Sequence, residues 1–119
     1  REPIHINPND ATERDLKNGD VVQVHNARGA CLAGVVIDSA LRQGVVQMST
    51  GSWYDPEDPS KANSLCKHGN PNVLTRDKGT SKLGQGPTAH TCMVNVELYR
   101  EVLPRVTAHE PPEILRTQK

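Results

Sequence analysis

Apolar side chains recur at every second position in this chain, in bursts of two or three, and turn-forming residues part the bursts. Ile4 and Ile6 alternate with His5 and Asn7, Val22 and Val24 with Gln23 and His25, and Cys92, Val94 and Val96 with Met93, Asn95 and Glu97. A period of two marks a strand with one buried face. Val supplies 12 of the 25 Leu, Ile and Val residues and Phe is absent, so the core is small, β-branched and poor in rings. No alternation of strand with long helix follows, which excludes a parallel α/β sheet and leaves a mainly β domain.

At 119 residues the chain has room for one compact domain. Lys and Arg number 14, as do Asp and Glu, which leaves no positive field for nucleic acid or an anionic membrane. No run approaches the roughly 18 apolar residues of a membrane span. The first residue, Arg1, falls in mid-pattern, and the chain reads as a piece of something longer. Cys31, Cys66 and Cys92 are odd in number, far apart and without C-x-x-C spacing. That argues for buried thiols in a reducing compartment, the cytoplasm, over a disulfide frame; the periplasm is the alternative.

The element boundaries follow from local chemistry. After the Ile4–Ile6 alternation, Asn7 caps a helix with Pro8 in its first turn, and Ile6 is placed to staple against Ala11. Asn18-Gly19 supplies a left-handed stop, which predicts a helix of about three turns. Residues 20–26 and 30–37 read as a hairpin joined at Asn26-Ala27-Arg28-Gly29, with Gly29 at the position expected to need positive φ. Gly44 turns the chain into a short strand over 45–48. Residues 50–71 are dense in turn formers and predict a long loop, 72–75 a brief strand, 79–86 a second, Gly-rich loop, and 91–98 the last strand. Several short strands with one early helix point to a closed or nearly closed β-barrel presenting two long loops at one rim.

The candidate chemistry sits on those loops. Gly79 and Gly84 give a G-x-x-x-x-G spacing, but Gln85-Gly86 stands where a phosphate-binding P-loop needs Lys and Ser or Thr. The segment reads either as a polar wall of Thr80, Ser81, Lys82 and Gln85 facing a heterocycle or phosphate, or as a solvated turn. Asn72 offers a donor and an acceptor together, as reading a pterin or purine edge requires; plain turn chemistry next to Pro71 is the other use. Trp53 either walls a ligand site or plugs the barrel mouth. The five histidines form no H-x-H or H-x-x-x-H pair, which argues against a metal site built by this chain. A Ser81-His90-Asp77 set exists on paper only, without a nucleophile elbow.

Six segments together carry a family resemblance: Arg1-Glu2-Pro3-Ile4-His5-Ile6-Asn7-Pro8, Asn18-Gly19-Asp20-Val21-Val22-Gln23-Val24, Asn26-Ala27-Arg28-Gly29, Gly51-Ser52-Trp53-Tyr54-Asp55-Pro56, Asn70-Pro71-Asn72-Val73-Leu74-Thr75-Arg76-Asp77 and Gly79-Thr80-Ser81-Lys82-Leu83-Gly84-Gln85-Gly86. In order and separation they resemble the C-terminal domain of the dimethyl-sulfoxide reductase family, nearest the biotin sulfoxide, trimethylamine N-oxide and dimethyl sulfoxide branch. The resemblance implies a six-stranded double-psi β-barrel with one short N-terminal helix and long rim loops. The match runs from Arg1 to about Tyr99, which gives a barrel domain over 1–103, and Pro104, Pro111 and Pro112 mark 104–119 as an extended tail. The resemblance also implies a share in binding bis(molybdopterin guanine dinucleotide) with its molybdenum, in an enzyme that removes oxygen from S-oxides or N-oxides. Asn72, Ser81, Lys82 and Gln85 would then line the cofactor groove and Trp53 would stand near its mouth. The metal ligand would come from another domain of the same polypeptide, so this segment alone carries no catalytic residue. Residues 58–66 depart from the family pattern. A free-standing barrel that binds a ligand or partner without redox chemistry is the reading from a different class.

Overall fold

The computed structural model describes residues 1–88 and 92–117. Five strands form one sheet: β1 (Pro3–Ile6), β2 (Val21–His25), β3 (Ala30–Ile37), β4 (Val46–Met48) and β5 (Asn95–Leu98), in the order β4-β1-β3-β2-β5. β1 runs parallel to β3, placing Ile4 opposite Val35, while β4 lies antiparallel against the far edge of β1. β2 pairs antiparallel with β3 and with β5, confirming the hairpin. On β1 and β2 the alternating residues Ile4, Ile6, Val22 and Val24 are the buried ones, so the period of two sorts core from surface there, whereas β3 is buried on both faces over its first half. Leu32, Ala33, Cys31 and Cys66 are buried with them. Among the described residues the strands number five, not six, and the edge strands β4 and β5 are not hydrogen-bonded to each other. Thr91 and His90 lie outside the described residues, so the start of the last predicted strand and the paper triad are not placed.

Helix α1 (Pro8–Glu13) begins as its capping chemistry predicts: Asn7 Oδ1 accepts from the Asn9 amide, with Pro8 in the first turn. It ends one turn sooner than the three turns expected. Asp15 takes φ +53°, its amide donates to the Thr12 carbonyl, and the Leu16 amide reaches back to Ala11. This pair of bonds is a Schellman stop, and Leu16 is buried beside Ala11 in the core. Gly19, at φ +88°, instead turns the chain into β2. Asp15 is exposed and adopts a conformation that favours glycine. Asp15→Gly is therefore expected to raise stability by up to about 1 kcal/mol, read as a higher urea midpoint.

Residues 49–70 form no named strand, yet they are tied down. The Cys66 amide donates to the Ala30 carbonyl and the Leu32 amide donates to the Cys66 carbonyl, so Cys66 sits in register beside Cys31 as a one-residue parallel rung. Cys66 also bridges Pro56. At the same level the Glu2 amide donates to the His68 carbonyl, and the segment ending at His68 thus extends the line of β1 along β3. The tail is fastened to this loop through Asp55, which is 5% exposed. Its carboxylate accepts from the Thr107 amide (2.7 Å) and hydroxyl (2.5 Å), while Lys67 Nζ donates to the Thr107 hydroxyl at 2.9 Å.

Two local expectations are corrected. Residues 72–75 are not a strand; Pro71–Val73 is a 3₁₀ turn capped by Asn70, whose Oδ1 accepts from the Asn72 amide. Gly29 does not have positive φ. Glycine is needed there because a Cβ would stand 2.6 Å from the Val73 carbonyl oxygen.

Candidate cofactor-binding site

The sheet curls so that its two free edges face one another across a groove. One end is a cavity of about 400 Å³ that includes Ile6, Asp10, Arg14, Val45 and Met93 in its lining. The adjoining end, about 220 Å³, includes Val24, Met48, Thr50, Asn72 and Thr75. Val46 of β4, together with Cys92 and Val94, lines both, which makes them parts of one groove. Its floor is apolar and its rim is polar, the composition expected where a flat heterocycle lies on side chains and is oriented by a few hydrogen bonds.

Asn72 reaches the groove because the 3₁₀ turn carrying it is clamped by the β2–β3 turn. Leu74, the residue after that turn, offers a carbonyl oxygen that accepts from Asn26 Nδ2 (2.9 Å), Arg28 Nε (2.7 Å) and the Cys92 thiol (2.9 Å). Asn26 also orders its own turn, its Oδ1 accepting from the Arg28 amide. With no side chain at Gly29, the turn closes directly onto Val73. Among the described residues, the Asn72 carboxamide takes no intramolecular hydrogen bond, which leaves its donor and acceptor for a ligand.

At the other end of the groove, Asp10 is nearly buried and its Oδ2 accepts from the Gly44 amide at 2.6 Å. Gly44 has φ +82°, so this bond holds the turn that launches β4. Arg14 Nη1 donates to the Asp10 carbonyl at 3.1 Å.

The remaining predicted residues stand elsewhere. Ser81, Lys82 and Gln85 come together with each other, on a turn closed by the Thr80 amide donating to the Gly86 carbonyl and by the Gly79–Pro87 bridge. Ser81 Oγ accepts from the Gly84 amide (2.8 Å), and Gln85 Nε2 donates to the Lys82 carbonyl (3.2 Å). None of the three lines the groove. Trp53 is 66% exposed, with its ring 6.0 Å from that of His109. His109 in turn meets His68 edge-on at 5.0 Å. Sequence reasoning misses Asn26, Arg28 and Cys92, which hold the Asn72 turn. Their convergence on one carbonyl joins segments 18 to 48 residues apart, which no spacing rule reveals. Among the described residues no group of three or more His, Cys, Asp or Glu side chains is placed to hold a metal ion. Nor is any helix there long and apolar enough to cross a membrane.

The family model for the molydopterin dinucleotide binding domain matches residues 1–93, the stretch that contains the groove's β4 edge, the Asn72 turn and the Gly-rich loop. The chain belongs to that family. Similar proteins include the trimethylamine-N-oxide reductase of Salmonella typhi, 49% identical over 112 residues, covering 94% of this chain. Trimethylamine-N-oxide reductase 1 of Escherichia coli K12 is 50% identical over 107 residues, 90% of this chain. The trimethylamine-N-oxide reductase of Haemophilus influenzae is 45% identical over 114 residues, 95% of this chain. The chain spans only 13% of the length of the Salmonella and Escherichia proteins and 14% of the Haemophilus one. These matches agree with the resemblance to the dimethyl-sulfoxide reductase family. As a molydopterin dinucleotide binding domain, the chain has a groove whose apolar floor and polar rim fit a pterin-type group.

Proposed function

We propose that this chain is the cofactor-holding domain of a molybdenum oxidoreductase that removes oxygen from N-oxides or S-oxides, trimethylamine N-oxide first among them. The observation that carries the reading is the groove between β4 and β5 with the Asn72 carboxamide at its rim, unpartnered among the described residues, in a domain of the matching family. Bis(molybdopterin guanine dinucleotide), when bound, supplies the two-electron chemistry at its molybdenum. The residues of this chain bind and orient. Asn72 gives one donor and one acceptor to a heterocycle edge, and Val24, Val46 and Val94 exclude water beneath it. Ser81, Lys82 and Gln85 form a second polar wall reaching the same group, with Lys82 complementing phosphate charge, and Trp53 stands near the mouth. Residues 1–103 act as the binding unit and 104–119 as a tail fastened over the long loop. In the complete protein the sheet closes across the β4–β5 seam into the six-stranded double-psi barrel, and other domains of the same polypeptide supply the metal ligand and the substrate funnel. We place the protein in the cytoplasm on its odd, scattered cysteines without C-x-x-C spacing, with the periplasm as the alternative.

Asn72→Ala and Gln85→Ala in the full-length enzyme are expected to lower retained molybdenum and guanine nucleotide several-fold after gel filtration. The N-oxide turnover per bound molybdenum should change much less, since both residues hold the group and touch no reacting atom. Unchanged metal and nucleotide content in both variants removes these residues from the site. The family reading argues against a free-standing module without redox chemistry, and a full-length protein that binds neither molybdenum nor guanine nucleotide would restore it.

A further inference from the structure

The register of the long loop on β3 points to a modification site: we infer that Cys31 and Cys66 form a disulfide-bonding pair. The two residues are partners in a parallel β-bridge, with the Cys66 amide bonded to Ala30 and its carbonyl to Leu32, the two residues that flank Cys31. Bridge partners send their side chains to the same face, and neighbouring strands run about 4.8 Å apart, within the span that a disulfide accepts between Cα atoms. Both side chains are 0% exposed and belong to the same core cluster. Cys92 is not part of this pair; its thiol donates to the Leu74 carbonyl.

The reaction needs a small-molecule disulfide such as oxidised glutathione. One cysteine thiolate attacks that disulfide, forming a mixed disulfide and releasing one small thiol. The second cysteine thiolate then attacks the protein sulfur, the Cys31–Cys66 bond forms, and the second small thiol leaves. The two protons lost by the protein end on the two released thiols, and the two electrons reduce the oxidant.

Burial decides when this happens. In the docked chain, burial and the neighbouring Cys66 push the Cys31 thiol up to about 12, so it stays protonated at neutral pH and is a poor nucleophile. Both thiols are also 0% exposed in the docked chain, out of reach of a dissolved disulfide, so the bond forms while the segment carrying Cys66 is still undocked from β3, and once formed it fixes that segment to the sheet. A chain that folds fully reduced keeps its thiols. The crosslink thus records the redox state in which the protein folded.

The intact polypeptide is produced in an oxidising and in a reducing host compartment, blocked with N-ethylmaleimide in denaturant, digested with trypsin and read by mass spectrometry. Cleavage places Cys31 in peptide 29–42 and Cys66 in peptide 62–67. Of this chain's three cysteines, two are expected to escape alkylation in the oxidising sample, which yields these peptides joined, lighter by two hydrogens. The joined species separates on adding dithiothreitol and is absent from the reducing sample. Oxidised glutathione added to the folded reduced protein is expected to give the crosslink far more slowly than the same treatment in denaturant followed by refolding. As a control, Cys66→Ala leaves Cys31 alkylatable in both samples. Full alkylation of Cys31 and Cys66 in the oxidising sample overturns the pairing. So does a crosslink to Cys92 in equal amount.

Discussion

Gly29→Ala is expected to destabilise the protein by about 1–2 kcal/mol and to loosen its grip on the cofactor. At most positions with ordinary φ, the change from Gly to Ala stabilises by roughly 0.4–1 kcal/mol, because the unfolded chain loses freedom. Here the new Cβ would stand 2.6 Å from the Val73 carbonyl oxygen, and that oxygen belongs to backbone. No rotamer change removes the clash, so the 3₁₀ turn or the β2–β3 turn must move, and the overpacking cost exceeds the entropic gain. Movement lengthens the bonds from Asn26 and Arg28 to the Leu74 carbonyl and shifts Asn72 along the rim of the groove. Gly34→Ala is the control, since a Cβ added there would meet no atom within 4 Å and its φ is not positive. Urea midpoints should fall for the first variant and hold or rise for the second. A Gly29→Ala protein as stable as the parent would mean that the two turns do not touch.

Asp55→Ala is expected to cost more, about 3 kcal/mol, and to release the tail. Lys67, only 12% exposed at its side chain and 3.5 Å from the carboxylate, would be left as a buried charge without its partner. The Thr107 amide and hydroxyl would lose their acceptor. Acid should reproduce part of this. Burial opposes the Asp55 charge most, yet the hydrogen bonds from Thr107 and the Lys67 ammonium together hold its carboxyl below the usual carboxylate range. A group lowered in the folded state contributes stability that is complete above its unfolded pKa of about 3.9 and is lost as pH falls through the lower folded value. The tail should therefore stay fastened at neutral and mildly acid pH and detach only below about pH 4. Hydrogen exchange at the Thr107 amide reads this directly. Detachment centred well above that range would show that Asp55 is not the fastening.

The strands are legible because burial on one face writes itself into sequence as alternation, and Ile4, Ile6, Val22 and Val24 are buried as their spacing requires. The end of α1 is not, because Asn18-Gly19 is the stronger written signal. The actual stop uses Asp15, a residue that only sometimes adopts φ > 0, and is settled by Leu16 packing beside Ala11, a tertiary contact. The 3₁₀ turn at Pro71 does have a written signal: Asn70-Pro71 repeats the cap-and-proline start of Asn7-Pro8, and in both the Asn side chain accepts from the amide two residues on. Gly29 stands out in sequence for its turn, whereas its requirement comes from Val73, 44 residues away. Of the candidate site, Asn72 is recognisable as a residue type with a donor and an acceptor in a constrained loop. Its support by Asn26, Arg28 and Cys92 depends on which distant carbonyl the fold brings near, and composition carries no trace of that.

Along one edge of β3, Ile4 to Ile6 occupy one half and the Cys66 segment the other, so this edge is completed by two stretches some sixty residues apart in the chain. Neither is a hairpin neighbour of β3, and the entropy of closing both long loops must be met before either pairing stabilises anything. The hairpin of β2 and β3 therefore forms early with a bare flank, and acquisition of the native state falls toward the slow, millisecond-to-second regime of non-local β topologies. During that interval the bare flank of β3, Val- and Leu-bearing, is open to pairing with another molecule, which makes the waiting period the time when this protein is most prone to aggregate.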